Sequence, residues 1–226
     1  MTESKDSLKH FYDKEYVDKF EKKPLFRISR LMKYVELPKD SEIADFGCGN
    51  GFLMICLHDK VRRYSGVDFS ELFIDAAKKR QKMLGIGNAE FFCESIEAFC
   101  SRNSEKFDAG FVLDLAEHVP DKEWIRILIA IRNSLKPSGK LYLHTPNAEF
   151  FIEIMRKKNV LLHQFKEHVA VRNVNENILM LRYAGFSKFE IKMLPHYNFL
   201  RYINFLSLTP GIGKYFKARI FIIVKK

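Results

Sequence analysis

Ile43-Ala44-Asp45-Phe46-Gly47-Cys48-Gly49-Asn50-Gly51 is the stretch on which the reading of this chain turns. A short apolar run passes directly into three alternating glycines, and the residues from Gly51 to about His58 read as a helix. Glycine tolerates positive φ and lets a backbone approach a ligand closely. The first turn of the helix behind it has N–H groups with no partner inside the helix. Strand, glycine loop and helix in that order bring main-chain donors together at one point.

An acid completes the pattern. Asp68 ends the next strand-like run, Tyr64-Ser65-Gly66-Val67, 21 positions after Gly47, where a carboxylate can accept two hydrogen bonds from a ribose diol. The alternative for Asp68 is capping of the helix that follows Ser70. The dinucleotide pattern G-x-G-x-x-G is broken, because the sixth position counted from Gly47 is Phe52. Asp45, two residues before the first glycine, would repel a diphosphate and attract an amino group and a sulfonium cation. The loop therefore points to S-adenosylmethionine rather than NAD.

Outward from the loop, strand-like and helix-like stretches alternate. Strands are predicted at Glu42–Phe46, Tyr64–Val67, Ala89–Cys93, Phe107–Leu113, Lys140–Thr145, Phe186–Met193 and Ala218–Val224. Helices are predicted at Ser70–Leu84, Glu123–Leu135, Glu149–Lys157 and Asn175–Ala184, and two more within residues 5–34, broken at Pro24. Crossover helices between strands imply a mostly parallel sheet covered on both faces. The expected fold is α/β: a Rossmann-like, seven-stranded sheet in one domain spanning residues 1–226. Residues 1–40 would form a helical lid, 41–147 the core and 148–226 a C-terminal region with the last two strands.

Composition agrees with a globular chain: 47% hydrophobic and 29% charged residues leave room for a sizeable core. The apolar runs Ile125–Ile131 and Ile220–Val224 are far too short to span a bilayer. Met1–Lys9 is charged and has no apolar signal segment, and four cysteines without a CxxC pair suit reduced thiols, so a cytoplasmic protein is expected. Charge is uneven: residues 151–226 hold 14 Lys/Arg against 4 acids, and the rest of the chain balances. That basic third could face an anionic substrate, a phosphate, a membrane surface or RNA, or be a plain solvated surface.

In Asp45–Gly51, Gly66–Ser70, Phe107–Val119 and the turn Leu135-Lys136-Pro137-Ser138-Gly139 leading to Thr145-Pro146-Asn147, the chain resembles the class I methyltransferases. Within them it is similar to the ubiquinone-biosynthesis O-methyltransferase group. The resemblance implies that Asp45, Gly47, Cys48, Gly49 and Gly51 lie by the methionine part of the cofactor. It gives Asp68 the ribose hydroxyls, Phe69 and Glu94-Ser95-Ile96 the adenine, and Leu113 the pocket wall. Arg30, just ahead of the core, would reach the methionine carboxylate. The expected product is S-adenosylhomocysteine.

Ligands of such sheets bind outside the carboxyl ends of the strands, and the fourth strand ends in Leu113-Asp114-Leu115-Ala116-Glu117-His118. An alcohol acceptor benefits from losing its proton, for which histidine is tuned. His118 is the first candidate base, followed by His144 and His168; the alternative for His118 is a structural histidine. No metal is assigned, but Asp114, Glu117 and His118 are the ligands a divalent cation would take. No Asn/Asp-Pro-Pro-Tyr/Phe sequence occurs; in the superfamily that motif accompanies methylation of planar nitrogens, so oxygen is the expected acceptor atom.

The acceptor would be a small molecule, a glycan or a lipid-linked intermediate. Tyr197, Phe199, Leu200, Tyr202, Phe205 and Leu206 are expected first to pack as core against the last strand. Their alternatives are an aromatic wall over the acceptor and an amphipathic hairpin in peripheral contact with a membrane, with Lys214, Lys217 and Arg219 toward the headgroups. Two competing functions stand beside the O-methyltransferase: a non-catalytic cofactor-binding accessory protein, and an RNA methyltransferase. The second is disfavoured because no RNA-binding module is recognisable.

Overall fold

The computed structural model describes residues 14–21, 24–163, 165 and 167–226; the part of the predicted lid before Lys14 lies outside them. Seven strands form one sheet: β1 Glu42–Phe46, β2 Arg63–Asp68, β3 Ala89–Cys93, β4 Phe107–Leu113, β5 Leu135–Pro146, β6 Lys188–Leu194 and β7 Arg219–Lys225. Their order is β3-β2-β1-β4-β5-β7-β6. β1 runs parallel to β2 and β4, and β2 to β3, whereas β7 is antiparallel to both β5 and β6. The chain works outward from β1 to β3 and then returns to the other side of β1. That reversal makes the carboxyl end of β1 a topological switch point, where open α/β sheets bind ligands.

The described chain divides into two compact units, one reaching to Phe111 with Asn133–Gly139 added, the other comprising Val112–Arg132 and Lys140–Lys226. In the first unit, α1 (Lys14–Glu21) and α2 (Phe26–Ser29) precede β1. α3 (Phe52–Leu57), α4 (Glu71–Met83) and α5 (Ile96–Ser101) follow β1, β2 and β3. Ile43, Phe46, Tyr64, Val67, Phe99, Phe107 and Phe111 are buried to the last per cent or so. Each such side chain contributes roughly 1.5–3 kcal/mol through burial. The rings of Phe46 and Phe107 lie 6.3 and 5.7 Å from that of Phe99. α4 begins where predicted, with the Ser70 hydroxyl accepting from the Phe73 N–H. The short α5, capped by Ser95 accepting from the Ala98 N–H, was not predicted, since six residues are too few to show a helical period.

α6 (Asp121–Ser134) connects β4 to β5, and β5 starts at Leu135 rather than Lys140. The predicted turn Leu135–Gly139 is therefore part of the strand. Leu135 is buried, and Lys136 is ion-paired with Asp108 at 2.7 Å. A Cβ at Gly139 would sit 3.0 Å from the Phe107 carbonyl, so only glycine lets the segment pass so close.

In the second unit, β7 lies between β5 and β6 and is apolar on both faces, with Ile220, Phe221, Ile222 and Val224 all buried. α7 (Phe151–Lys157) and α8 (Val174–Tyr183) belong to it. α8 has a capping box: the Asn173 side chain accepts from the Glu176 N–H, and Glu176 accepts from the Asn173 N–H. The predicted core packing of the 197–206 aromatics is not what the chain does. Residues Phe199–Leu208 form a 3₁₀ helix that leaves Phe199, Tyr202 and Phe205 exposed, with Tyr197, Leu200 and Leu206 half-buried. Among the described residues no helix is long and apolar enough to cross a membrane.

Candidate active site

In the first unit the glycine loop turns at the end of β1 with φ of 75° at Gly47, 50° at Gly49 and 75° at Gly51, a region disfavoured for L side chains. A Cβ at Gly51 would also press on Phe91 and Ala77 at 3.1 and 3.2 Å, whereas one at Gly49 would meet nothing closer than 3.6 Å. Asp68 pins the loop: one carboxylate oxygen accepts from the Gly49 N–H and the other from the Ser70 N–H, both at 3.0 Å. Burial pushes its pKa up to about 6, opposed by those N–H donors. Asp45, also buried, is raised to about 7 by desolvation despite the Tyr64 hydroxyl donating to it at 2.5 Å. Cys48 is buried and its thiol is pushed well above its usual range, first by burial and then by the two acids.

The loop is tied to the N-terminal helix. Glu21 accepts from the Asn50 side chain at 3.0 Å and pairs with Arg80, which in turn donates to the Asn50 carbonyl. Phe20 packs edge-on against Phe73 with centroids 5.4 Å apart. The Asn50 Oδ1 is buried with no hydrogen-bond partner among the described residues. A loop with an orphaned acceptor, left-handed glycines and two buried acids suits a ligand that brings hydroxyls and positive charge.

In the second unit, Asp114 follows β4 with φ of +59°, an unusual conformation for a non-glycine residue that concentrates at functional sites. Its Oδ1 is shared by Arg219 and by Nδ1 of His144, the latter at 2.9 Å. Arg219 Nε also donates to His144 Nε2 at 3.5 Å, so both ring nitrogens of this buried histidine are engaged. The Asp114 and Glu117 carboxylates raise the pKa of the Arg219 guanidinium against its desolvation.

Three residues on, a 3₁₀ turn (Ala116–His118) buries Glu117 and His118. The Thr145 hydroxyl donates to Glu117 at 3.1 Å, and burial followed by the nearby Asp114 raises the Glu117 pKa. His118 Nδ1 lies 2.8 Å from the Glu167 carbonyl. A carbonyl only accepts, so Nδ1 carries the proton and Nε2 the lone pair in the neutral ring. His168 stands edge-on to His118, with centroids 5.0 Å apart. Its pKa falls to about 3 through burial and then through His118 and Arg219, so it is neutral near pH 7. One ligand atom from each of Glu117, His118 and His168 lies within 4.8 Å of the others. Arg172 braces this turn, donating to the Ala116 and Val119 carbonyls at 2.6 Å each and to Asp121 at 2.7 Å.

Residues 43–139 match the family model described as a methyltransferase domain. The chain is 34% identical over 132 residues to a ubiquinone biosynthesis O-methyltransferase of Coxiella burnetii, and 30% identical over 130 residues to one of Idiomarina loihiensis. These alignments take in 57% and 55% of this chain, which spans only 55% and 52% of those relatives. A crystal structure of an S-adenosylmethionine-dependent methyltransferase from Archaeoglobus fulgidus superposes with a TM-score of 0.72 at 16% identity, covering 95% of this chain and all of the other. This likeness is one of fold. The chain thus shares its fold with that S-adenosylmethionine-dependent methyltransferase.

Within the matched residues, Gly47, Cys48, Gly49, Gly51, Asp45 and Asp68 come together at the end of β1 and β2. Phe69 follows Asp68 with its ring 37% exposed. Glu94 is bound to Arg102, Ser95 caps α5, and Ile96 is buried at its first turn. Arg30 is half-buried just past α2. In the second unit, Leu113 ends β4 and is half-buried. Of the three residues named as candidates for a cation, Asp114 is held by Arg219 and His144, and it is His168 that stands beside Glu117 and His118. A short side chain already committed to a buried guanidinium has no reach to spare. Sequence reading assigned no site role to Glu21, Tyr64, Arg80, Thr145 or Arg172. It named Arg219 only in the alternative of a membrane-facing hairpin, whereas Arg219 is buried on Asp114, 105 positions away. Only a basic residue opening a strand hinted at it.

Proposed function

We propose that this protein transfers the methyl group of S-adenosylmethionine to an oxygen of a small-molecule, glycan or lipid-linked acceptor. The observation that carries the reading is Asp68 bridging the glycine loop and the start of α4 through both carboxylate oxygens. A buried carboxylate held there keeps lone pairs free, which supports its reading as the acceptor of a ribose diol. The cofactor supplies a methyl group on a sulfonium, already a good leaving group. Asp45 and Asp68 favour its positive charge, Asp68 orients the ribose, Phe69 and Glu94-Ser95-Ile96 face the adenine, and Arg30 answers the methionine carboxylate.

On the acceptor side, His118 takes the hydroxyl proton on Nε2 while Nδ1 stays on the Glu167 carbonyl. The acceptor oxygen forms its bond to the methyl carbon as the carbon–sulfur bond breaks, the bonding pair remaining on sulfur. Alignment of the two reactants supplies much of the rate, on the order of 7–11 kcal/mol in well-oriented intramolecular reactions. His144, with both nitrogens engaged, positions Asp114 and Arg219 rather than moving a proton. Oxygen is favoured as the acceptor atom by the names of the Coxiella and Idiomarina relatives.

A second reading has one observation behind it: Glu117, His118 and His168 are arranged to hold a divalent cation, which would then lower the acceptor hydroxyl's pKa in place of the histidine. Calorimetry with S-adenosylmethionine and S-adenosylhomocysteine, followed by an acceptor screen with and without chelator, tests both. Micromolar binding lost in Asp68→Ala supports the cofactor site, and no binding to the wild type overturns the enzyme. Turnover abolished by chelator and restored by added cation replaces His118 as base with the metal.

A further inference from the structure

We infer that the segment 199–215 is a docking surface for an anionic lipid bilayer. Phe199, Tyr202, Phe205 and Leu208 recur at every third position of the 3₁₀ helix Phe199–Leu208. A 3₁₀ helix has three residues per turn, so side chains at i and i+3 eclipse one another. The period of the sequence equals the period of the backbone, and the four side chains form one straight row. They are 73, 68, 67 and 86% exposed. Ile212 and Tyr215, on the following turn, extend the apolar surface at 49 and 37%.

Cations stand alongside this row. Arg201 donates to the Tyr202 hydroxyl at 2.8 Å and lies over its ring at 4.8 Å. Lys214 stands over the Tyr215 ring at 5.1 Å. From Ile191 to Lys226 the chain has seven Lys/Arg and no Asp or Glu; Arg219 is buried on Asp114 and Lys192 is paired with Glu190, which leaves five for the surface. An acidic protein surface would satisfy the charge, but a continuous apolar row flanked by Arg and Lys has a simpler complement. Aromatic rings enter the headgroup–acyl boundary while the cations stay at the phosphates. The second turn packs closely on the first at Gly213, where the Ser207 carbonyl leaves no room for a Cβ.

The test is co-sedimentation with vesicles of phosphatidylcholine alone and of phosphatidylcholine with phosphatidylglycerol, for the wild-type chain, Phe199→Ser/Phe205→Ser and Arg201→Gln/Lys214→Gln. All three are checked for an unchanged circular-dichroism melt, since these side chains are exposed. The wild type is expected to bind the anionic vesicles at least tenfold better than the neutral ones. The aromatic pair should reduce binding more than tenfold, and each cation removed about fivefold, in line with the attraction of a surface Lys or Arg to an anionic leaflet. Equal binding to both vesicle types, no binding, or unchanged binding by the aromatic variant would overturn the inference. So would a concentration-dependent dimer in sedimentation that the aromatic substitutions dissolve, since the row would then be covered by a second copy.

Discussion

The glycine loop and the Asp114–His144–Arg219 cluster are both buried acid sites, but they are assembled in opposite ways. At the loop, Asp45, Gly49, Asp68 and Ser70 all come from one strand–loop–helix–strand unit, and two of the three bonds that shape it come from main-chain N–H groups. In the cluster, every decisive bond is between side chains far apart in the chain, Asp114 to Arg219 and Thr145 to Glu117 among them. A site built on local backbone can be read from spacing. One built on side-chain ion pairs depends on which strands happen to be neighbours, and it is more vulnerable to loss of a partner.

The comparison can be broken most severely at Asp68. Asp68→Ala removes the charged acceptor of two expected ribose hydrogen bonds, each worth about 1.5–3 kcal/mol. Calorimetry should show cofactor affinity falling by roughly 10²–10⁴-fold, with the second unit's chemistry untouched. An affinity within a factor of three of wild type would make Asp68 a loop brace only. His118→Ala should do the converse, lowering kcat by about 10²–10⁴ and leaving the calorimetric affinity unchanged. If both parameters fall together, the two regions are not separable as described.

Arg219→Ala tests the side-chain site as a piece of architecture. Leaving Asp114 buried beside Glu117 without its cation should destabilise the chain by about 3–5 kcal/mol in urea unfolding. Arg219→Lys should recover part of that loss, because lysine keeps the charge without the planar fork. A midpoint unaffected by Arg219→Ala would mean that the cluster relaxes into solvent.

A smaller effect follows from pH. The Asp68 pKa in the folded protein is raised to about 6, so the protonated fraction grows as pH falls below that value. Ribose hydroxyls are better donors to the carboxylate than to the acid, so cofactor affinity should drop about tenfold per unit below pH 6 and flatten above it. In Asp68→Asn the part of the dependence centred near pH 6 should vanish, leaving only that of Asp45, whose pKa is raised to about 7. The same raised values bear on stability with the opposite sense: Asp45 and Asp68 bind protons more tightly folded than unfolded. Their contribution is therefore fully present below about pH 3.8 and declines as pH rises toward about 7. The smallest effect is expected at the Asn173 cap, where Asn173→Ala should cost about 1 kcal/mol in unfolding and change neither binding nor turnover.

Asp45–Gly51 and Asp68 were legible before any coordinates because glycine, acid and strand stand in fixed chain order, and parallel strands joined by helices leave few topologies open. Six of the seven strands were anticipated to within two residues for the same reason: short apolar runs bounded by turn signals are local. β5 began five residues early because a buried leucine and an ion pair to another strand overrode the Pro-Ser-Gly signal. The aromatic stretch after Pro195 was misread as core, since a period of three says nothing of which side faces water until the backbone is known to be 3₁₀. Arg219 on Asp114, and His168 in Asp114's place beside Glu117 and His118, had no local signature at all. Local order specifies backbone donors and their spacing, whereas the pairing of distant side chains exists only once folding has made β4, β5 and β7 bring their ends together within one unit.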